Sequence, residues 1–212
     1  VDPLILPLSR SVQFRDSNIE VATLVNPPDD VVGVLADNAG KVRGLWASFA
    51  TDNGRELVQE SRGIEASLIA ETLQVVRSGA TLWSLEAEFV AQSLATARTL
   101  GLPESWMQRI QKANPAVRQV LSITRVVGGS DAARAFQPGD LLLAIDDAVV
   151  TRFRHVERAV AGKAQVKATV WRVDGEQTVT VQTAALSGND VDRLISWAGA
   201  TLQAPHRAIS AQ

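Results

Sequence analysis

The chain has 212 residues, of which 46% are hydrophobic and 21% charged, a composition typical of a globular protein with one or two domains. Its net charge of −2 offers no basic surface to nucleic acid, and no apolar run is long enough to span a bilayer. We therefore expect neither a nucleic-acid nor a membrane partner. Without cysteine there are no disulfides, and the two histidines, His155 and His206, form no ligand cluster, so we expect no metal and no other cofactor.

The first 60 residues have the pattern of β-strands, in "PLILPL", in "NIEVATLV" and in a hairpin. The hairpin turns at residues 37–40, where Asp37 can cap a turn and Gly40 accepts a positive φ. Its flanks, residues 31–35 and 41–49, are rich in β-branched and aromatic residues. We expect Leu45 and Trp46 to face a core.

Helical spacing begins near Ile64 and stops at Gly79, which predicts a helix of about four turns. A second helix, "PESWMQRIQKA", follows a break at residues 101–103, since Pro103 fits a first helical turn. A strand is then predicted over residues 119–126. The next segment, "GGSDAARAFQPGDLLLAIDDAVV", has the pattern turn, short helix, turn, strand and turn.

The remaining elements are a short helix, two strands and a last helix. "RFRHVERAV" predicts the short helix, and "QVKATVWRV" and "EQTVTVQTA" predict strands joined by a turn at residues 173–176. In "NDVDRLISWAGATLQAPHRAI", Asn189 or Asp190 can cap a helix. Its apolar residues recur at helical spacing, which predicts an amphipathic helix with the stripe Val191, Leu194, Ile195, Ala198 and Leu202.

The segments "SDAARAFQPGDLLLAIDDAVVTRFRHVERAV" and "VKATVWRVDGEQTVTV" resemble a PDZ domain of the bacterial, circularly permuted type found in HtrA/DegP-like serine proteases. In this motif residues 138–139 make a turn and Asp140 can cap backbone amides. We expect Leu141, Leu143 and Ile145 to alternate into the core. The resemblance implies a PDZ domain over residues 80–186.

The upstream hairpin resembles the trypsin-like domain of the same family, in the strand pair that follows the nucleophilic serine. An ungapped alignment matches Gly33, Leu35, Gly40 and Gly44 to family residues and puts Val31 at the serine position. Valine has no nucleophilic atom, so acyl transfer cannot occur there. The resemblance also places the carboxylates of residues 29 and 30, both aspartates, where an oxyanion hole needs donors.

No catalytic residue can be assigned to this chain. No histidine precedes His155, and neither Ser48 nor Ser61 follows a glycine-rich oxyanion loop. Together, "GKVRGLWASF", "RQVLSITRV" and "ISWAGATLQAPHRAI" resemble the long HtrA-like proteases with duplicated protease and PDZ units, in which the second protease unit is degenerate. The resemblance implies trypsin-like strands over 1–62, a linker helix over 63–79, the PDZ domain and a C-terminal helix over 187–212 that leads toward a second PDZ-like unit.

The fold class is therefore expected to be mainly β with α (α+β), the tail of a trypsin-like β-barrel plus a circularly permuted PDZ domain. Such domains bind a C-terminus as an added strand, with backbone amides holding its carboxylate. By resemblance, residues 82–85 form the carboxylate loop, residues 85–89 the docking strand and residues 153–160 the partner helix. The implied peptide-binding residues are Leu82, Trp83, Ser84, Leu85, Ala87, Phe89, His155, Val156, Ala159 and Val160. Ser84 stands where the family prefers glycine.

Three functions fit these features. The first is a noncatalytic peptide-binding or regulatory module with a pseudoprotease remnant, whose partners are C-terminal or extended peptides and other domains of the parent protease. The second is a fragment of an active periplasmic serine endopeptidase whose triad lies outside this chain. The third is an oligomer-assembly module with a blocked groove. Because the chain begins at Val1 without a signal peptide, we expect a longer parent protein, for which the family resemblance favours the bacterial periplasm.

Overall fold

The computed structural model describes residues 12–14, 17–27, 31–52, 56–186 and 193–203. The chain divides into two compact units. Unit 1 comprises residues 1–15 and 19–80, and unit 2 comprises residues 16–18 and 81–212. The segment "PLILPL", residues 28–30 and the predicted cap at residues 189–190 lie outside the described residues.

Unit 1 consists of short antiparallel strands and one helix. Its elements are β1 (Val12–Gln13), β2 (Glu20–Val21), β3 (Gly33–Ala36), β4 (Val42–Asp52), β5 (Leu57–Glu65) and α1 (Ala66–Ser78). β1 pairs with β2, and β3, β4 and β5 form a three-stranded antiparallel sheet in that order. An isolated bridge between Ala22 and Gly63 connects the end of β2 to β5.

The turn between β3 and β4 is the Asx turn that the sequence predicts. The Asp37 carboxylate accepts hydrogen bonds from the amides of Ala39 at 3.0 Å and Lys41 at 2.9 Å. Gly40 has a φ of 77°, in the left-handed region that favours glycine. The hydrogen bond from the Lys41 amide, followed by those from the Arg43 guanidinium and the Ala39 amide, lowers the pKa of Asp37. The hairpin prediction is therefore confirmed.

The expectation that Leu45 and Trp46 both face a core is wrong for Leu45. Trp46 is buried, whereas Leu45 is 44% exposed. Successive side chains on β4 point to opposite faces of the sheet, so Leu45 and Trp46 cannot both be buried when only one face is covered.

Helix α1 ends where the sequence predicts. Gly79 adopts a φ of 63°, and the amides of Gly79 and Ala80 bond back to the carbonyls of Val76 and Val75. None of its side chains is fully buried: Leu68, Ile69 and Val75 are partly buried, and Leu73 and Val76 are exposed. Among the described residues, no helix is long and apolar enough to cross a membrane.

Unit 2 contains the remaining elements. They are β6 (Leu82–Ser84), β7 (Ala87–Ser93), α2 (Leu94–Thr99), α3 (Glu104–Ala113), β8 (Gln119–Val126), α4 (Asp131–Ala135), β9 (Leu141–Ile145), β10 (Ala148–Val149), α5 (Phe153–Val160), β11 (Gln165–Arg172), β12 (Gly175–Gln182), β13 (Ala184–Leu186), β14 (Leu194–Trp197) and β15 (Ala200–Gln203). Its main sheet is antiparallel, with the order β12-β11-β9-β8-β7 and β10 paired to β9. Strand β7 is therefore an edge strand.

The main sheet is buried on both faces. One core contains side chains of α4, α5, β7 and β11, and it includes Leu142 and Ile145 of β9. The other contains α2 and α3 with Leu141 and Leu143. Leu141, Leu143 and Ile145 are all buried as expected, but they do not alternate on one face, because Leu141 and Leu143 lie in one core and Ile145 in the other. All five residues of β9 are buried, and the pairing with β11 shifts at a bulge between Thr169 and Val170.

The turn before β9 holds a buried ion pair. Gly139 has a φ of 95°, and Asp140 accepts a hydrogen bond from the amide of Gln137 at 2.9 Å. The same carboxylate binds Arg172 through two bonds of 2.7 and 2.6 Å, and Arg172 also donates to the carbonyl of Ala135. The predicted capping role of Asp140 is confirmed, and the motif also joins β9 to β11.

The amphipathic helix predicted for the C-terminal segment is wrong in its described part. Residues 194–203 form the hairpin β14–β15, which turns at Ala198 and Gly199 with φ values of 48° and 83°. Two successive positive φ values match a tight hairpin turn and end any right-handed helix. Leu194 and Ile195 are both exposed, so these apolar residues provide no buried face that would stabilise a helix.

Candidate functional site

Val31 lies two residues before β3, with its side chain 47% exposed. The aligned aspartates at 29 and 30 lie outside the described residues. Two of the glycines that match the family are required by the structure of the hairpin. Gly40 forms the turn, and a Cβ on Gly44 would lie 2.6 Å from the carbonyl oxygen of Ile64. These glycines therefore support close strand pairing in unit 1.

The two serines closest to the hairpin face each other across a strand pair. Ser48 on β4 is the Cα partner of Ser61 on β5. In the described part of the chain, the buried Ser48 Oγ has no hydrogen-bond partner. A serine nucleophile needs a base within hydrogen-bond reach, and the sequence of unit 1 contains no histidine. The described residues also contain no group of three potential metal ligands.

The segment expected to form the carboxylate loop is partly a strand. Residues 82–84 form β6, which pairs with β13 through Leu82 to Leu186, Trp83 to Ala185 and Ser84 to Ala184. The Ser84 Oγ accepts a hydrogen bond from the Glu86 amide at 2.9 Å. Glu86, with a φ of 55°, adopts the left-handed conformation in this turn. Ser84 thus supports the turn through its side chain, while Glu86 adopts the strained backbone conformation.

The predicted groove residues are brought together, but half of them are core residues. Leu85, Ala87 and Phe89 are buried in the same cluster as Val156 and Val160. Trp83 and Ala159 are partly buried against that cluster, and α5 contacts β6. Leu82 is 49% exposed. Peptide contact on this side of unit 2 therefore has to involve the partly exposed side chains and the backbone of β7.

His155 is half-buried on α5, and its Nδ1 atom accepts a hydrogen bond from the Thr151 amide at 3.3 Å. Burial lowers the pKa of His155, and the positive charges of Arg152, Arg158 and Arg154 lower it further. An accepting Nδ1 and a lowered pKa both favour the neutral imidazole. His155 therefore acts at the start of α5 as a hydrogen-bond acceptor.

The outer edge of β7 carries a contact that the sequence does not reveal. The Asn18 carboxamide donates to the carbonyl of Ala87 at 3.1 Å and accepts from the amide of Phe89 at 2.9 Å. All three residues belong to unit 2. The inner edge of β7 faces β8, with which it pairs from Ala87 to Ser93. Because Asn18 is 69 residues from Ala87 in the sequence, no local pattern could predict this contact.

The antiparallel sheet of unit 2, with the turn-anchoring Asp140, the packed helix α5 and the edge strand β7, has the features expected of a PDZ domain, and the fold as a whole is mainly β with α. Comparison with known proteins then identifies the kind of protein. "Protease Do-like 7" of Arabidopsis thaliana is 29% identical over 229 residues, covering 95% of this chain. A "PDZ domain-containing protein" of Schizosaccharomyces pombe is 31% identical over 216 residues, covering 99% of it. The chain is HtrA-like and carries a PDZ domain.

A further curated relative is similar over most of the chain. A "Pro-apoptotic serine protease" of Phaeosphaeria nodorum is 29% identical over 185 residues, covering 85% of this chain. The chain spans about one fifth of the length of these curated relatives, with 21%, 21% and 18% of each covered. A solved HtrA-type protease with a decapeptide is 21% identical, with a TM-score of 0.43 over 79% of this chain and 49% of its own. No model of a protein family matches the chain.

Proposed function

We propose that this chain is a noncatalytic peptide-binding module of an HtrA-like protein. Unit 2 acts as a PDZ domain that binds C-terminal or extended peptides, and unit 1 is a trypsin-like remnant without a nucleophile. The observation that carries the proposal is the edge position of β7. The Ala87 carbonyl and the Phe89 amide bond to the Asn18 side chain and not to β8, so these backbone groups point away from the sheet.

Strand addition is the mode of binding that this edge supports. The side chains of Leu85, Ala87 and Phe89 are buried in the core, which fixes the strand while its backbone faces outward at alternate residues. An antiparallel peptide exchanges N–H and C=O bonds with every second residue of such an edge. Backbone bonding of this kind accepts many sequences, so side-chain selectivity must come from neighbouring residues.

The end of the peptide is expected to lie at residues 82–85, where β6 meets α5. Backbone amides of this segment hold the terminal carboxylate in our proposal. Partly buried Trp83 and Ala159 provide an apolar surface beside α5, which favours an apolar final residue. The neutral His155 on the same helix adds no charge to this surface.

The proposal is tested with a fluorescein-labelled decapeptide that ends in valine with a free carboxylate. We expect a dissociation constant of tens of micromolar, equivalent to about 6 to 7 kcal/mol of binding free energy. The matched control is the same peptide with an amidated C-terminus, which should not bind measurably because it lacks the anion. Equal affinity for the acid and the amide would reject the assignment of residues 82–85 as a carboxylate site.

The noncatalytic part of the proposal has its own test. We expect a serine-reactive fluorophosphonate probe to leave the chain unlabelled under conditions that label trypsin, because Ser48 and Ser61 lack a histidine base in unit 1. Labelling of either serine, located by mass spectrometry, would establish an activated nucleophile and overturn the noncatalytic assignment.

A further inference from the structure

The Asn18 contact occupies backbone groups that strand addition would require. Its carboxamide presents one donor and one acceptor, and these pair with the Ala87 carbonyl and the Phe89 amide. Only one orientation of the amide satisfies both bonds, because Ala87 offers an acceptor and Phe89 a donor. The side chain therefore bridges the two residues as a neighbouring strand in parallel alignment would.

A docked peptide needs the same atoms. In an antiparallel pair, a ligand residue opposite Ala87 bonds to both its N–H and its C=O, and the residue two positions away does the same with Phe89. Asn18 already holds the Ala87 carbonyl and the Phe89 amide. A peptide that starts from residues 82–85 can pass Ala87 only after Asn18 has left.

We propose that Asn18 is an intramolecular occupant of the peptide-docking edge, so that peptide binding and the Asn18 contact exclude each other. This inference rests on the proposed peptide-binding function of unit 2. The observed affinity is then the intrinsic affinity multiplied by the fraction of molecules in which the edge is open. A partner or substitution that withdraws Asn18 increases binding without touching the peptide.

The test compares the wild-type chain with Asn18→Ala, using the labelled decapeptide with a free C-terminal valine. Loss of two hydrogen bonds is expected to strengthen binding about tenfold, equivalent to about 1.4 kcal/mol. Asn38→Ala is the matched control, because Asn38 is exposed on the β3–β4 turn. It should change the dissociation constant less than about twofold, and far-UV circular dichroism verifies that both variants are folded.

A second readout follows the Asn18 side chain and the Phe89 amide directly. In a titration of the ¹⁵N-labelled wild-type chain, the side-chain NH₂ signals of Asn18 should move toward those of a solvent-exposed asparagine as the decapeptide binds. In the absence of peptide, Asn18→Ala should reduce hydrogen-exchange protection of the Phe89 amide, which Asn38→Ala should leave unchanged.

The outcomes separate this inference from the function on which it rests. Tighter binding by Asn18→Ala together with displaced Asn18 signals supports the competition. If wild type and Asn18→Ala bind the peptide equally, the competition is refuted while peptide binding stands. If neither binds, the proposed function fails and the competition fails with it; loss of Phe89 protection would then report a purely structural contact.

Discussion

The buried ion pair between Asp140 and Arg172 allows the most quantitative prediction. The Asp140 side chain is only 1% exposed and that of Arg172 15%, with 2.6 Å between the closest charged atoms. Replacing Arg172 by alanine leaves a buried carboxylate without its cation and frees the carbonyl of Ala135. Removal of one partner of a buried pair typically costs about 3 to 5 kcal/mol, which we expect for Arg172→Ala in unit 2.

Urea denaturation followed by tryptophan fluorescence measures this loss, since Trp83, Trp106 and Trp171 all belong to unit 2. With a slope of about 2 kcal/mol per molar urea, the unfolding midpoint should fall by about 2 M. Arg134→Ala is the control: Arg134 also forms an ion pair with an aspartate, Asp131 on α4, but its side chain is 67% exposed. This control should cost at most about 1 kcal/mol.

A double variant isolates the charge effect. Asp140→Leu combined with Arg172→Met removes both charges, so it should lose less stability than Arg172→Ala alone. If Arg172→Ala costs no more than Arg134→Ala, the ion pair does not anchor the turn before β9 and the reasoning is refuted.

Three further predictions concern Val31, His155 and the β14–β15 hairpin. Val31→Ser should restore no cleavage of casein or a labelled peptide, because no histidine precedes His155 in the sequence, and measurable cleavage would mean that the hairpin has been misread. The free energy of unfolding should fall as the pH drops below about 6.5, because the folded-state pKa of His155 lies below its ordinary value of 6.5 and the unfolded state binds the proton more readily. His155→Gln should flatten this part of the pH profile, and an unchanged slope would assign it to other groups. Leu194→Ser with Ile195→Ser should change stability by no more than about 0.5 kcal/mol, since both residues are exposed; a loss of several kcal/mol in urea denaturation would contradict the exposed hairpin.

Elements with local chemical causes could be predicted from the sequence. The β3–β4 turn depends on Asp37 and Gly40, the end of α1 on Gly79, and the turn before β9 on Gly139 and Asp140. In each case a residue adopts a special backbone conformation or caps nearby amides. That residue also stands beside a strong apolar pattern. The PDZ motif is of this kind, which is why it was recognisable in a single sequence.

Elements that depend on tertiary context could not be predicted. The C-terminal segment places Leu194, Ile195 and Leu202 at a spacing that suits a helix, but Ala198 takes a positive φ that alanine rarely adopts. The strand character of residues 82–84 depends on β13, about 100 residues later. Helix α2 was not predicted, although Ser93 caps it by accepting from the Thr96 amide, and a serine followed by a helix-forming run was the available signal.

The candidate site was only partly accessible to sequence reasoning. The resemblance placed residues 85–89 and α5 in one region, and the structure packs their side chains in one core. The sequence could not show whether Val156 and Val160 pack in the core or line a groove, because an apolar stripe on one helical face is expected in either case. Asn18 was missed since its two bonds join residues about 70 positions apart.

Peptide binding by strand addition at β7 can be observed residue by residue in an NMR titration. The assigned ¹⁵N-labelled chain is titrated with the free-carboxylate decapeptide, with the amidated peptide as control. We expect the largest amide shift changes on residues 82–89 and on α5, with intermolecular NOEs between the peptide backbone and Ala87 or Phe89. Shift changes confined to other surfaces, such as the β14–β15 hairpin, or no change at saturating peptide would contradict it.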